Sequence, residues 1–399
     1  LKAEGRHDEA LAELEAAAEV APDNANVWKN LRLAFEAAER TSAAVDRFEA
    51  ARKAHPGNAA VFDNLAGALA LAGRHDEAKR AAETALLLEP TLVSARITLA
   101  SALKETGQPH AAVTILREAV ALDPGNADAH FNLGLALVYA GQPAAGFAEL
   151  EWRRRSPERA PPPSGLPEWN GEPLEGRTLL VVAEQGLGDT IQFVRYAAYA
   201  QARGARVLLE APTSLERLLR FVPGLDGVLE SGAERPHVDL TAALMSLPHL
   251  CGPEPDRIAA APAYLRAEPA LVDRWVPRLG AGPGLKVGLA WQGNPKYRAD
   301  KRRSIPLPEL APLLAVSGVR AFSLQKGFGA EQAALLPPGA TLDPLGRELD
   351  EGRDAFVDTA AVMATLDLVI TSDTSIAHLA GALGRPTWLL LAFAPDWRW

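Results

Sequence analysis

The stretch GRHDEA occupies residues 5–10 and returns unchanged at residues 73–78, so the two copies lie 68 residues, or twice 34, apart. Other residues recur with the same period of 34. They are the prolines Pro22, Pro56, Pro90 and Pro124, the glycines Gly73, Gly107 and Gly141, and the leucines Leu31, Leu65, Leu99 and Leu133. Several positions in register at one fixed spacing predict stacked helix–turn–helix units, with glycine in the turn and proline after the second helix.

This pattern resembles the tetratricopeptide repeat (TPR), and it predicts a TPR solenoid over residues 1–154. Alanines recur where the two helices of a unit must approach closely, and Trp28 and Phe48 are large enough to fill the space between them. The resemblance implies a concave face that binds a protein or peptide partner. The alternative is that these helices serve only as a scaffold or in dimerisation.

After the repeats, the pattern changes from helical to alternating strands and helices. Residues 155–176 are rich in proline and glycine and predict an extended linker, with Trp169 as a packing anchor. Strand-like apolar runs then alternate with helical segments in residues 177–268 and again in residues 285–399, which favours parallel sheets.

Two Rossmann-like halves joined by a connector at residues 269–284 suggest the two-domain sugar-transferase architecture called GT-B, with the acceptor side first and the donor side second. The fold class is therefore α + α/β. Because the sequence stops just after a strand, we expect the second half to be incomplete at its carboxyl end.

Composition and charge exclude several classes of function. The chain has 399 residues and a formal net charge of −9, which argues against a general nucleic-acid binder because such a surface is basic. Its single cysteine, Cys251, excludes a disulfide within the chain and a cysteine-based zinc site. No apolar run is long enough to cross a membrane. We expect a cytoplasmic protein that requires no cofactor.

A first candidate loop, AEQGLGD at residues 183–189, directly follows the apolar run TLLVV. Gln185, Gly186 and Gly188 form a turn, and Asp189 opens the next helix. On local grounds Asp189 is a helix N-cap. The same position also suits a general base, because the carboxylate is held at a strand end that faces a cleft.

A second candidate loop, SDTSIAHLAGALGRP at residues 372–386, follows another buried strand. Asp373, Thr374 and Ser375 are typical N-capping residues, and His378 lies one turn into the helix. Simple capping is the alternative to a diphosphate site, which would use the free N–H groups and the positive end of the helix dipole.

A third loop, WQGNPKYRADKRRS at residues 291–304, also begins at a strand end. Trp291, Gly293 and Asn294 form its turn. Five cations follow in a chain that is acidic overall, and they are Lys296, Arg298, Lys301, Arg302 and Arg303. Such a run is either a solvated face or a phosphate-neutralising site. Gln325 and Lys326 end a further strand in the same way, and we expect them to bind the donor together with Trp291, Gly293 and Asn294.

Three motifs together carry a family resemblance: EQGLGDTIQFVRYA, WQGN…DKRRSIPLPEL and DTSIAHLAGALGRP. They are similar to the ADP-heptose–lipopolysaccharide heptosyltransferase family and its TPR-fused bacterial relatives, over roughly residues 165–399. The resemblance implies an inverting, metal-independent sugar transfer from a nucleotide-diphosphate donor.

The resemblance also assigns roles. Asp189 matches the base that deprotonates the acceptor hydroxyl, with Gln185, Gly186 and Gly188 in the acceptor loop. Arg303 matches the basic residue that stabilises the departing diphosphate, a position where the family often has lysine. Asp373, Thr374 and His378 match the donor loop, where Ser375 replaces the family's glycine.

Three hypotheses follow. The first is a glycosyltransferase whose repeats recruit a protein acceptor or partner. The second is a TPR scaffold that carries a degenerate transferase domain without activity. The third is a nucleotide-sugar epimerase, which shares the two-half fold and would convert the free donor without an acceptor.

Overall fold

The computed structural model describes residues 6–156, 159–161, 165–250, 263–297 and 300–399. Cys251 and Arg298, both considered above, lie outside these residues. The chain divides into two compact units, Leu1–Ala160 with Trp397–Trp399, and Pro161–Asp396. None of the helices in the described ranges combines the length and the apolar stretch that a membrane crossing needs.

The described part of the first unit is built from paired α-helices. They are α1 (His7–Val20), α2 (Ala25–Ala37), α3 (Thr41–Ala54), α4 (Ala59–Leu71), α5 (His75–Leu88), α6 (Val93–Glu105), α7 (Pro109–Leu122), α8 (Ala127–Tyr139) and α9 (Pro143–Leu150). Helices α2, α4, α6 and α8 begin 34 residues apart, as do α3, α5, α7 and α9. The predicted helix–turn–helix repeat is confirmed.

The turns between the paired helices show why glycine recurs there. Gly73, Gly107 and Gly141 have φ angles of 76°, 75° and 73°, which only glycine adopts without strain. In the preceding repeat the equivalent residue is Glu39, with a φ of 56°. The turn therefore forms even without glycine, at a conformational cost.

A hydrogen bond to the preceding proline carbonyl recurs in the repeats, although different side chains supply it. Trp28 Nε1 donates to the Pro22 carbonyl (2.6 Å). The residue 68 positions later, Arg96, donates to Pro90, and His130 Nε2 lies 3.1 Å from the Pro124 oxygen. The 34-residue period thus preserves this contact even where the residue type changes.

The described residues of the second unit form two four-stranded sheets. The strands are β1 (Thr178–Val182), β2 (Arg206–Ala211), β3 (Gly227–Glu230), β4 (Leu240–Ala243), β5 (Leu285–Ala290), β6 (Val319–Ser323), β7 (Leu368–Ser372) and β8 (Thr387–Leu390). Their order is β3-β2-β1-β4 in one sheet and β6-β5-β7-β8 in the other, and every pairing is parallel. The predicted α/β region with parallel strands is confirmed.

The helices of the second unit are mostly short. They are α10 (Leu187–Phe193), α11 (Ala197–Ala202), α12 (Glu216–Leu219), α13 (Leu247–Leu250), α14 (Pro269–Leu279), α15 (Asp300–Arg303), α16 (Ala311–Leu314), α17 (Val357–Met363) and α18 (Ser375–Ala382). Residues 269–284, assigned above to a connector, include α14, whose Trp275 is buried and donates from Nε1 to Asp358 Oδ1 (2.7 Å). Trp169 is also buried, and its backbone N–H donates to the Thr241 carbonyl in β4 (2.8 Å).

Candidate functional site

The candidate loops follow the carboxyl ends of strands in both sheets: residues 183–189 after β1, 291–304 after β5, 324–329 after β6 and 373–378 after β7. In parallel sheets the loops at this edge are where ligands bind. Three of these loops follow inner strands, namely β1 in the first sheet and β5 and β7 in the second. The loop at residues 324–329 follows β6, an edge strand that pairs with β5.

Gly188 lets the first loop touch the loop after β7. A Cβ atom added to Gly188 would lie 2.9 Å from His378 Cδ2 and 3.3 Å from Ser375 Oγ. The first of these distances is shorter than real Cβ atoms show, so a larger residue at this position would force the His378 ring to shift. Helices α10 and α18 consequently meet at their amino-terminal turns, and the structure brings the Asp189 loop beside the His378 loop.

Asp189 is the third residue of α10, and the N-cap position belongs to Gly186. The expectation that Asp189 is itself the N-cap is therefore wrong. Its Oδ2 atom accepts the Gly186 N–H (3.0 Å), so the side chain reaches back across the first turn. Asp189 is half-buried, and Gln185 takes a left-handed φ of 65° in the turn before it. Such backbone strain clusters at functional sites.

The loop after β7 does cap its helix as expected. Thr374 is the N-cap of α18, and its side-chain oxygen accepts the Ile376 N–H (3.4 Å). Thr374 is buried, whereas Asp373, Ser375 and His378 are half-buried. The Oγ atom of Ser372, at the end of β7, is buried and has no hydrogen-bond partner among the described residues.

Residues 324–329 and 291–292 are tied together by the Gln325 carboxamide. Its Oε1 atom accepts the N–H groups of Trp291 and Gln292 (3.0 Å each), and its Nε2 atom donates to the carbonyls of Gln292 (2.8 Å) and Phe328 (2.7 Å). Trp291 is buried, and its Nε1 atom donates to the Gly329 carbonyl (3.1 Å). Both residues, predicted to bind the donor, are here engaged in the protein's own framework.

Lys326 and Asn294 also bond to the backbone. The Lys326 ammonium donates to the carbonyls of Leu349 (2.6 Å) and Asp350. The Asn294 Oδ1 atom accepts the Lys296 N–H (3.0 Å), which stabilises the turn after β5. Asn294 remains exposed.

Arg303 is held by a buried carboxylate that the sequence analysis did not select. Its Nε atom donates to Asp300 Oδ1 (3.1 Å), and its guanidinium carbon lies 4.7 Å from the centre of the Tyr297 ring. Asp300 is 3% exposed and also accepts a hydrogen bond from Ser304 Oγ (2.8 Å). The guanidinium is thus held in one orientation, while the Arg303 side chain stays 23% exposed.

The same cluster explains Gly293. Its N–H donates to Ser304 Oγ (3.0 Å), and a Cβ atom there would collide with the Asp300 carboxylate. A single signal in the sequence could have identified Asp300 and Ser304. They are four residues apart beside the basic run, the spacing of neighbours on a helix.

Tyr264 links the two helices that carry the candidate loops. Its Oη atom donates to the Ile191 carbonyl in α10 (2.9 Å), while the N–H groups of Tyr264 and Leu265 both donate to the Ala382 carbonyl at the end of α18 (2.9 and 3.0 Å). Burial raises the pKa of the Tyr264 hydroxyl. No pattern in residues 225–265 predicted this link, because it depends on a tertiary contact.

A cavity of about 500 Å³ is lined by residues other than the candidate site residues. Its lining comes from the segment between residues 263 and 273 and from Ala364, Leu383 and Arg385. None of the candidate site residues is part of that lining, although Leu383 and Arg385 belong to the carboxyl-terminal part of the stretch 372–386.

Asp350 anchors α17 and has an unusual ionisation. Its Oδ1 atom accepts the N–H groups of Asp358 (2.7 Å) and Thr359 (3.2 Å), and its Oδ2 atom accepts the Thr359 hydroxyl. Burial raises the pKa of the Asp350 carboxyl, although the hydrogen bonds from Thr359 and Asp358 lower it in part. The folded state therefore holds the Asp350 proton more tightly than the unfolded chain does.

This ionisation predicts a pH dependence of stability. The Asp350 proton stabilises the folded state, and its contribution to the free energy of unfolding is complete below the ordinary carboxyl pKa. This contribution is lost as pH rises through the raised pKa of the folded state. We expect the free energy of unfolding of the parent protein to fall, relative to Asp350→Asn, as pH rises above the ordinary carboxyl pKa of about 4. Urea denaturation of both proteins at several pH values measures this difference.

Asp239→Asn is the matched control. The Thr178 N–H, which donates to Asp239 Oδ2 (2.7 Å), lowers the pKa of that carboxyl. The pH dependence of the free energy of unfolding then has the opposite sign. The stabilising contribution of Asp239 is present above the ordinary carboxyl pKa and is lost as pH falls through the lowered pKa of the folded state. An Asp350→Asn difference that stays constant over the whole pH range would contradict the prediction.

Comparison with known proteins identifies the repeat region. A family model described as TPR repeat matches residues 100–141. The chain contains TPR repeats, as the 34-residue period predicted. It is also similar to protein FlbA of Caulobacter vibrioides, with 29% identity over 253 residues that cover 57% of this chain. The match covers 41% of the length of FlbA.

Several solved structures resemble part of the chain. YrrB, described as a TPR protein with an unusual peptide-binding site, is 23% identical, covers 40% of this chain and is itself covered to 84%, with a TM-score of 0.31. TTC0263, described as a thermophilic TPR protein of Thermus thermophilus, is 19% identical over 40% of this chain and 86% of its own, with a TM-score of 0.33. MamA is 17% identical over 38% of this chain and 88% of its own, with a TM-score of 0.31. Similarities at these scores carry no argument about function.

Proposed function

We propose that the α/β unit is a glycosyltransferase of GT-B architecture, which moves a sugar from a nucleotide-diphosphate donor to an acceptor hydroxyl with inversion and without a metal. The observation that carries this proposal is the contact of Gly188 with His378 and Ser375. It joins a loop with a candidate base to a loop with candidate phosphate ligands. The two loops come from different parallel sheets, which is the arrangement that a two-half transferase requires.

On the acceptor side, Asp189 is the general base. Its hydrogen bond from the Gly186 N–H fixes the carboxylate at the first turn of α10. A positioned carboxylate within reach of a hydroxyl removes the proton as the hydroxyl oxygen attacks the sugar carbon. The bond between that carbon and the diphosphate oxygen breaks as the new glycosidic bond forms.

On the donor side, cationic and N–H groups stabilise the negative charge that develops on the diphosphate. Arg303 supplies a permanent positive charge, and Asp300 orients it. His378 and the first turn of α18 supply further donors, since the amino terminus of a helix favours anions. Gln325 and Trp291 join the loops after β5 and β6 through hydrogen bonds, and Lys326 donates to the Leu349 carbonyl.

The TPR region has the complementary role of recruiting a protein acceptor or another protein partner. Solenoids of this kind present extended surfaces to partners. In this proposal the α/β unit performs the transfer and the repeats select where it takes place.

The test is equilibrium binding of the chain to a panel of ADP-, UDP-, GDP- and dTDP-sugars. We expect selective binding of one nucleotide, which Arg303→Ala and His378→Ala each weaken about tenfold or more because each removes a charge-assisted or polar contact to phosphate. Lys301→Ala is the control, since Lys301 is an exposed cation on the same short helix as Arg303.

Other outcomes select the alternatives. If no nucleotide sugar binds, the proposal fails and the α/β unit is a scaffold. If a donor binds and is converted to its epimer without any acceptor and without release of the nucleotide diphosphate, the chain is an epimerase. Weakening by Lys301→Ala equal to that by Arg303→Ala would show that the basic run attracts anions only through its overall charge.

A further inference from the structure

One face of the TPR region is defined by contacts between neighbouring helices. Ser94 Oγ on α6 donates to Asp63 Oδ2 on α4 (2.6 Å), so these two positions lie on the same side of the two helices. The repeat places Asp128 on α8 at the position of Ser94, and Phe131 at the position of Asp63 two repeats later. We call the face that contains Asp63, Ser94, Asp128 and Phe131 the inner face.

An arginine of the same unit lies on the α8 end of the inner face. Arg159 Nη1 donates to Asp128 Oδ1 (2.7 Å), and the guanidinium carbon lies 4.6 Å from the centre of the Phe131 ring. The Arg159 N–H donates to the Ser156 carbonyl (3.1 Å). A carboxylate beside an aromatic ring is the pair of groups that binds a guanidinium, through an ion pair and a cation–π contact.

We propose that Asp128 and Phe131 form a docking site for an arginine-bearing segment of a protein partner, and that Arg159 occupies this site within the chain until a partner displaces it. The proposal names the partner chemistry of the TPR region and rests on the partner-binding part of the function proposed above. It is independent of sugar transfer.

The internal contact is weak enough to be displaced. The side chain of Asp128 is 61% exposed and that of Arg159 is 32% exposed. Ion pairs and cation–π contacts at exposed sites contribute little, since water and salt screen them. Removal of Arg159 leaves the site open in every copy of the protein. A competing segment should therefore bind about threefold to tenfold more tightly.

The sequence around Arg159 supplies a probe. A fluorescent peptide RRRSPERAP, which copies residues 153–161, is titrated against the full chain by fluorescence polarisation. We expect Arg159→Ala to bind this peptide about threefold to tenfold more tightly than the parent does. Adding Asp128→Asn to that variant should abolish the gain, because the amide keeps the shape of the side chain and removes its charge.

Two controls separate the site from general charge attraction. Arg155→Ala removes an arginine whose guanidinium lies over the Trp152 ring, 3.9 Å from its centre, and should leave the affinity of the parent unchanged. The peptide RRRSPEQAP, with glutamine in place of the last arginine, should bind Arg159→Ala no better than it binds the parent. Far-ultraviolet circular dichroism confirms that each variant stays helical.

The remaining outcomes overturn the proposal in distinguishable ways. Equal affinity of the parent and Arg159→Ala, or equal binding of the two peptides, shows that Arg159 does not occupy a docking site. Peptide binding that is insensitive to Asp128→Asn overturns this site but leaves a partner role for the repeats. The absence of any peptide binding counts against both the docking site and the partner role of the repeats. None of these outcomes affects the nucleotide-sugar test.

Discussion

Asp189→Asn is expected to lower the rate of sugar transfer by about 10²- to 10⁴-fold, the usual contribution of a positioned general base. Asparagine has nearly the same shape as aspartate, and its Oδ1 atom can accept the Gly186 N–H that now bonds to the carboxylate. The start of α10 is therefore kept. The amide cannot accept the proton of the acceptor hydroxyl, so the loss falls on kcat.

The measurement is donor-dependent turnover once the nucleotide panel has identified the donor. Binding of the donor should change little, because Asp189 belongs to the acceptor side of the proposed site. Transfer at the parental rate would contradict the assignment of the base. A variant that loses donor binding and stability together would point instead to a structural role at the helix start.

Asp226→Asn is a matched control for this experiment. Asp226 Oδ2 accepts the Val207 N–H at the start of β2 (2.7 Å), so this carboxylate also bonds to the backbone of the same unit. It lies at the amino end of a strand, the opposite edge from the candidate loops. We expect Asp226→Asn to retain the parental rate of transfer per folded molecule.

Trp28→Ala is expected to lower the free energy of unfolding of the TPR region by about 3–5 kcal/mol. Trp28 is 1% exposed and packs between Phe48 and His55, with ring centres 6.0 and 5.9 Å away. Truncation leaves a large cavity that rigid helices fill only in part. It also removes the hydrogen bond from Nε1 to the Pro22 carbonyl (2.6 Å).

Urea denaturation followed by circular dichroism measures this loss. Trp28→Phe separates the two contributions, because it keeps an aromatic ring and removes the hydrogen bond, for an expected cost nearer about 1–2 kcal/mol. Leu87→Ala is the control, since Leu87 is an 83% exposed apolar residue on α5. A cost below about 1 kcal/mol for Trp28→Ala would show that this end of the solenoid does not depend on its buried tryptophan.

The sequence was most informative where structure is local and periodic. Each helical pair packs on its neighbour in the same way, so the residues required at the contact recur every 34 positions and can be read directly. The recurring bond to the proline carbonyl was hidden, because tryptophan, arginine and histidine make it with different atoms.

In the α/β unit the prediction succeeded for six of the eight strands, including the four-residue β8, and failed for two. The run TLLVV forms β1, which is buried at all five positions. No strand was predicted at β3 or β4, which have four residues each. At β3 every residue is only half-buried, so it shows neither a continuous apolar run nor a clear alternation.

The sequence alone therefore determined the TPR repeat, the change to an α/β unit with parallel strands, and the loops that are candidates for a site. Tertiary structure alone decided that Gly188 meets His378, that Asp300 orients Arg303, and that Gln325 and Lys326 bond to the backbone. The physical reason is the range of the interactions. Periodicity and capping act between residues a few positions apart, whereas these contacts depend on strand order and on how closely two backbones can approach.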